Sequence, residues 1–264
     1  MEKAGIIRKK QPSGITGSTL KLIAIITMLI DHVAATLIYR TMNHEMLVNG
    51  LVTVEEMDAY ISEHIIIYGA YMIMRVIGRI AFPIFCFLLV EGFLYTGNKG
   101  KYAFRLGIFA LISEIPFDLA VRNTVCSFEG QNVFFTLLLG LLAMMCLEQV
   151  PKKYSENKKR YILICVLISA IFMTLAFLLK TDYAAGGVLT IIVMYIFRED
   201  KVKRMALGVL ALLSCGIMEC FALVNLFFIN KYNGKRGSSF KYIFYWFYPV
   251  HLFMLALICI ALKI

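Results

Sequence analysis

The run from Leu20 to Tyr39 is long enough to cross a bilayer as a helix, which takes about 20 mostly apolar residues. It carries an acid and an imidazole side by side, Asp31 and His32. An ionisable group at the centre of such a helix costs about 2.5–3.5 kcal/mol on insertion scales, so it faces a partner or a cavity. The pair therefore points to chemistry or proton handling inside a membrane.

The rest of the chain fits that reading. Apolar residues make up 60% of the 264, against roughly half in a soluble domain. No second composition regime interrupts them, so one domain is expected over 1–264, with 1–18 as a cytoplasmic N-terminal segment. The formal charge of +10 is not a nucleic-acid signal, because the cations lie in short clusters between apolar runs. A cleaved signal peptide is not expected, since the first run is longer than a signal core and holds the most unusual residues of the chain. The seven cysteines form no C-x-x-C pair, so no metal site is expected.

The fold class is all-α, a polytopic transmembrane bundle. Eight segments are predicted at about 19–39, 65–95, 102–121, 132–149, 160–180, 182–197, 204–230 and 242–262. Basic clusters precede the first, follow the second and fourth, and follow the sixth. They are Lys3, Arg8, Lys9 and Lys10; Lys99, Lys101 and Arg105; Lys152, Lys153, Lys158, Lys159 and Arg160; and Arg198, Lys201, Lys203 and Arg204. Loop 40–64 is acidic instead, with Glu45, Glu55, Glu56, Asp58 and Glu63. The N-terminus is therefore expected in the cytoplasm. Lys231, Lys235, Arg236 and Lys241 break the alternation. Either the rule fails there, or 204–230 is broken near Gly216 and Glu219 and returns to the side it came from. Segment two is too long for one straight span, and Pro83 predicts a kink near Ile80–Pro83.

The polar residues inside the apolar runs are too many for a purely structural bundle and suggest a polar, partly hydrated cavity; the site candidates among them are Asp31, His32, Arg75, Arg79, Glu91, Asn132, Thr136, Asp182, Tyr183 and His251. Asp31 and His32 are followed by Arg75, Arg79 and Glu91 in segment two and by Glu114 and Asp118 in segment three. Asn132 and Thr136 open segment four, Asp182 and Tyr183 segment six, Glu219 lies in segment seven and His251 in segment eight. Each has a structural reading. Asp31 can simply pair with Arg79; Glu114 and Asp118 can lie near membrane ends; Asn132 and Thr136 can cap and link helices; His251 can pack in the aromatic stretch Tyr245–Tyr248. The chemical reading is that a neutral histidine takes a proton from an amine or hydroxyl as it attacks a carbonyl. Asp31 and His32 are adjacent, so their side chains diverge by about 100° and a direct dyad is not expected. Arg75 and Arg79, four apart, share a helix face and can hold phosphates. The basic loops suit an anionic donor such as a coenzyme A thioester. There is no glycine-rich phosphate loop, H-E-x-x-H or serine-triad signature.

Several stretches together resemble the TraX family of membrane proteins. They are Met28-Leu29-Ile30-Asp31-His32, Gly78-Arg79-Ile80-Ala81-Phe82-Pro83, Glu91-Gly92-Phe93, Ser113-Glu114-Ile115-Pro116-Phe117-Asp118, Asn132-Val133-Phe134-Phe135-Thr136, Asp182-Tyr183 and Phe247-Tyr248-Pro249-Val250-His251. The resemblance runs from about residue 16 to the C-terminus. It implies a bacterial inner-membrane acetyltransferase of the kind that acetylates the N-terminus of pilin, with acetyl-coenzyme A as co-substrate. By a wider similarity to transmembrane acyltransferases, His32 would be catalytic, Arg79 a site arginine and His251 a secondary site residue. The expected partners are the lipid bilayer, an acyl-coenzyme A donor and an unidentified peptide, glycan or small-molecule acceptor. The rival reading is a transporter or proton-coupled permease that uses the same polar residues as a relay.

Overall fold

The computed structural model describes residues 14–150, 157–238 and 241–264. The cations Lys3, Arg8, Lys9, Lys10, Lys152 and Lys153, used above for orientation, lie outside them. Among the described residues there is no strand, only two isolated bridges, Ile15–Tyr232 and Gln131–Thr181.

The first run is longer than the sequence suggested. Helix α1 (Gly17–Val33), a π-helical stretch (Ala34–Ile38) and α2 (Tyr39–Val48) join end to end as one 32-residue helix. A short helix follows, α3 (Val54–Glu63), held at its start by a reciprocal cap between Thr53 and Glu56. Segment two is two helices, α4 (Ile65–Gly78) and α5 (Ala81–Tyr95). The break falls at Arg79–Ile80, just before the expected kink. Pro83 sits in the first turn of α5, where a missing backbone donor costs nothing. The carbonyl of Ile80, freed by the break, accepts from Asn225 Nδ2 at 3.1 Å.

Next come α6 (Lys99–Arg122), α7 (Val133–Gln149), α8 (Lys158–Leu178) and α9 (Ala184–Ile196). Segment seven is broken. It comprises α10 (Lys201–Leu212), two 3-10 stretches (Leu213–Cys215 and Ile217–Val224) and α11 (Asn225–Asn230). Gly216 divides the stretches at φ 149°, a backbone region that only glycine occupies without strain. The last helix is α12 (Lys241–Leu262).

The expectation of eight segments is not matched one for one. Among the described residues four helices are long and apolar enough to cross a membrane: Gly17–Val48, Ile65–Tyr95, Lys158–Leu178 and Tyr242–Leu262. Three apolar helices are shorter, Val133–Gln149, Ala184–Ile196 and Ile217–Asn230. Helix α6 is long, but it carries Lys99, Lys101, Arg105, Glu114, Asp118 and Arg122. The surroundings these helices need are clearest on α8. Its apolar side chains Leu163, Val166, Leu167, Ile171 and Phe177 are all exposed, as suits a helix wrapped largely by lipid.

Contacts divide the bundle into two ends. At one end, backbone bonds run from Ile15 N to Lys231 O (2.9 Å) and from Ser18 N to Arg236 O (2.9 Å). Lys201 Nζ donates to the carbonyls of Asn230 (3.0 Å) and Tyr232 (2.6 Å), so both ends of the broken segment meet there. Lys99 and Glu148 join α6 to α7 at the same end. At the other end Arg40 donates to Ile264 O (2.7 Å), Arg122 to Gly130 O (2.8 Å) and Gln131 N to Lys180 O (2.9 Å). The basic stretch 231–236 that broke the charge alternation therefore lies beside the start of α1, which favours the returning segment over a failure of the rule.

In a background without native cysteines, single cysteines at Lys101 and Lys235 should react with an impermeant thiol reagent from one side, and one at Glu129 from the other. Labelling of Lys101→Cys and Lys235→Cys from opposite sides would contradict this arrangement.

Candidate active site

Asp31 and His32 part company as the 100° step between neighbours requires. Asp31 Oδ1 accepts from Arg75 Nη1 at 2.8 Å and from Arg79 Nη2 at 3.1 Å. Arg79 Nη1 donates to Glu219 Oε1 at 2.8 Å, and its Nε to the Arg75 carbonyl at 3.1 Å. Two carboxylates thus face two guanidinium groups, joining α1, α4 and the second 3-10 stretch. The exposures decide how tightly the charges depend on one another: Arg79 keeps 14% of its side chain exposed, Asp31 15% and Glu219 4%. At that depth neither charge sign is tolerable without the other. Gly78 makes room for the approach, because a Cβ there would overlap the Asp31 carboxylate.

His32 turns to His251 of α12, with Nδ1 to Nε2 at 2.7 Å. The proton positions follow from the next link. His251 Nδ1 lies 2.7 Å from the Phe247 carbonyl, which can only accept, so that nitrogen carries hydrogen. In the neutral ring Nε2 is then the acceptor, and His32 Nδ1 donates to it. A neutral His32 keeps its lone pair on Nε2, the basic nitrogen. Ring contacts fix the pair: Phe247 stacks on His251 at 4.8 Å and Tyr248 stands edge-on to His32 at 5.8 Å. Thr36 Oγ1 bonds the His32 carbonyl at 2.6 Å where α1 passes into the π-helical stretch, a distortion often found at functional sites.

The remaining candidates divide. Asp182 and Tyr183 lie in the electrostatic surroundings of Arg79. Asp182 is exposed at the turn before α9. Tyr183, at φ 60°, stacks on Phe82 with centroids 3.8 Å apart. Asn132 and Thr136 are fully buried linkers. Asn132 caps α7 through Phe134 N (3.0 Å) and bonds Ala110 O (2.8 Å) and Glu114, while Thr136 Oγ1 bonds the Asp182 carbonyl. Asp118 accepts from Ser127 N at 2.7 Å and pins the 123–131 loop. Glu91 sits about 15 Å along α5, outside the Asp31 cluster. Its partners are Arg204 Nη2 (2.8 Å) and Tyr232 Oη (3.2 Å).

In the sequence Arg204 falls in the basic cluster after segment six, at the first residue of segment 204–230. It is 1% exposed, salt-bridged to Glu91, with its guanidinium 3.8 Å from the Phe87 ring centroid. Its position at the edge of a predicted membrane segment was the signal available. Glu219 was noted as polar but left out of the site; its partner is 140 residues away. No group of three or more metal-ligating side chains occurs among the described residues.

A cavity of about 660 Å³ opens at the Lys235 end of the bundle and runs inward to Met28, Phe134 and Tyr248, next to the histidine pair.

The site and fold together define an all-helical membrane protein with a buried ion cluster beside a coupled histidine pair. The profile of the family described as TraX protein matches residues 16–259, and the chain belongs to that family. It is 32% identical over 220 residues to the "Probable fimbrial assembly protein FimC, serogroup H1" of Dichelobacter nodosus, covering 72% of this chain and 83% of that protein. No solved structure matches.

Because Arg79 bridges two largely buried carboxylates, Arg79→Ala should lower stability by about 3–5 kcal/mol. Arg79→Lys should recover only part of this, since a point charge lacks the planar fork. Unfolding of the detergent-solubilised protein measures both. A loss below about 1 kcal/mol for the alanine variant would show that the cluster does not hold α1 to the α4–α5 break.

Proposed function

We propose that the protein is a multi-pass acyltransferase of the bacterial cytoplasmic membrane that moves an acetyl group from acetyl-coenzyme A to an amine or hydroxyl. The observation that carries this reading is the chain from Phe247 O through His251 to His32, which leaves a lone pair on Nε2 of a histidine that neighbours the arginines and touches Tyr248, a residue of the cavity wall. Family membership supports the chemistry, because the family is associated with pilin acetylation, and the fimbrial assembly name of the similar protein keeps a peptide N-terminus among the candidate acceptors.

In this mechanism the acceptor nitrogen or oxygen attacks the thioester carbonyl while His32 Nε2 takes its proton. Arg79 and Arg75 supply positive charge near the oxygen of the tetrahedral intermediate. Asp31 holds both arginines in place. Collapse breaks the carbon–sulfur bond, and His32 returns the proton to the departing thiolate, giving the acylated acceptor and coenzyme A. The charge pattern and the shared end of 14–18, 201 and 231–236 suit seven crossings and one segment, 201–230, that enters and returns.

His32→Ala should cut transfer of label from acetyl-coenzyme A by about a hundredfold or more, with donor affinity largely kept, because proton removal matters in the transition state. The wild-type rate should rise with pH through one ionisation as neutral imidazole becomes populated. A folded His32→Ala protein with near wild-type turnover would exclude the histidine base. Substrate movement in proteoliposomes without thiol release would favour the transporter instead.

A further inference from the structure

The geometry points to Tyr248 as a further catalytic residue: its hydroxyl donates a hydrogen bond to the carbonyl oxygen of the thioester, seated at the inner end of the 660 Å³ cavity. This rests on the acyltransferase reading and deepens it. Tyr248 supplies a direct contact to the reacting carbonyl, whereas Arg75 and Arg79, held by Asp31 and Glu219, act through charge.

Tyr248 lies in α12, 3% exposed, and forms part of the cavity wall. Its ring is fixed by edge-on contacts with Phe134 at 5.1 Å, His251 at 5.7 Å and His32 at 5.8 Å between centroids. A tyrosine hydroxyl has one hydrogen to donate and lone pairs with which to accept. The N–H of Val133, in the first turn of α7, faces the oxygen. The next amide, Phe134 N, is already taken by the Asn132 cap at 3.0 Å. Asp182 and Glu114 reach the hydroxyl only as charges, and among the described residues nothing accepts its hydrogen. A buried donor left without an acceptor is destabilising, and phenylalanine would fill the same space without that cost. An acceptor that arrives with a ligand accounts for the hydroxyl.

Val133 and Tyr248 line the cavity together with Met28, Phe134 and Leu137, so the hydroxyl works in largely apolar surroundings, where a hydrogen bond is stronger than in water. An acetyl thioester offers one strong acceptor there, its carbonyl oxygen, on a small apolar group. With that oxygen on Tyr248, the carbonyl carbon lies beside His32, whose ring borders Tyr248. As the acceptor nitrogen or oxygen bonds to this carbon, the π pair of the carbonyl moves onto the oxygen, and the hydrogen bond strengthens against the new negative charge. The aligned amides at the start of α7 add positive potential behind the hydroxyl. When the carbon–oxygen double bond re-forms, the carbon–sulfur pair leaves with the thiolate. Tyr248 keeps its proton throughout, and the proton that moves is carried by His32.

The test is isotope-edited infrared spectroscopy of the full chain in lipid nanodiscs, with acetyl-coenzyme A carrying carbon-13 at its carbonyl and no acceptor present, alongside calorimetry of its binding. The bound thioester band should lie at lower frequency in the wild-type protein than in Tyr248→Phe, with an affinity loss of no more than about tenfold. Label transfer should fall by about a hundredfold in the same variant, as when one oxyanion donor is removed. If Tyr248→Phe does not fold, a ring-fluorinated tyrosine at position 248, a stronger donor of nearly the same shape, should move the band lower still. A bound band that neither replacement moves would overturn the contact. Label transfer by the wild-type protein with such an unmoved band would sink the contact alone. A band moved by the replacement, without transfer to amine, glycan or peptide acceptors, would sink the acyltransferase reading and leave the contact standing. A wild-type protein that does not bind acetyl-coenzyme A would overturn both.

Discussion

The ion cluster of Asp31, Arg75, Arg79 and Glu219 is the constraint on which the rest of the structure depends. Charges this deep among apolar helices are stable only as a set. To complete the set, the 65–95 helix must break at Arg79, and a segment from 140 residues away must bring Glu219 to it. Each break exposes backbone, and each is accommodated locally. Asn225 closes the carbonyl of Ile80, Pro83 begins the next helix where a donor is not needed, and Gly216 takes the conformation that lets the second 3-10 stretch turn inward.

With Asp31 committed to arginine, His32 is left to a neutral partner. This separates two roles that a carboxylate–histidine pair would combine. The carboxylate fixes positive charge in the site. A backbone carbonyl, relayed through His251, fixes which nitrogen of His32 bears hydrogen. A cavity whose wall includes Lys21, Arg105 and Arg236 reaches Tyr248, which stands edge-on to His32.

Much of this was legible in the sequence because the membrane raises the cost of every polar residue. Asp31 had few possible partners, and Arg79 was the nearest cation of the right depth. Pro83 and Gly216 marked the breaks to within a few residues. Other features depend on tertiary pairing and left little trace. The His32–His251 contact spans 219 residues, and its aromatic neighbourhood reads equally well as an interfacial belt. Arg204 looked like a loop cation because its salt-bridge partner, Glu91, is 113 residues away. The place of the 231–236 cations was settled by backbone bonds to residues 15–18, which side-chain chemistry does not encode. Helix α6 was counted as one more apolar segment, yet Lys99 pairs with Glu148 at one end, Glu114 bonds Asn132, and Asp118 and Arg122 hold the 123–131 loop at the other.

The claim at the centre is that His32 presents an unprotonated Nε2 while its Nδ1 donates to His251. Nitrogen-15 NMR of the ring-labelled protein in lipid reads this directly, and the four histidines can be assigned by single substitution. Above the ionisation of the pair, the expected spectrum has Nδ1 of both His32 and His251 bearing hydrogen and both Nε2 atoms bare. In His251→Ala the preference at His32 should weaken toward a mixture of tautomers. A His32 that carries its proton on Nε2 in the wild-type protein would contradict the claim, since the nitrogen assigned as the base would then have no lone pair to offer.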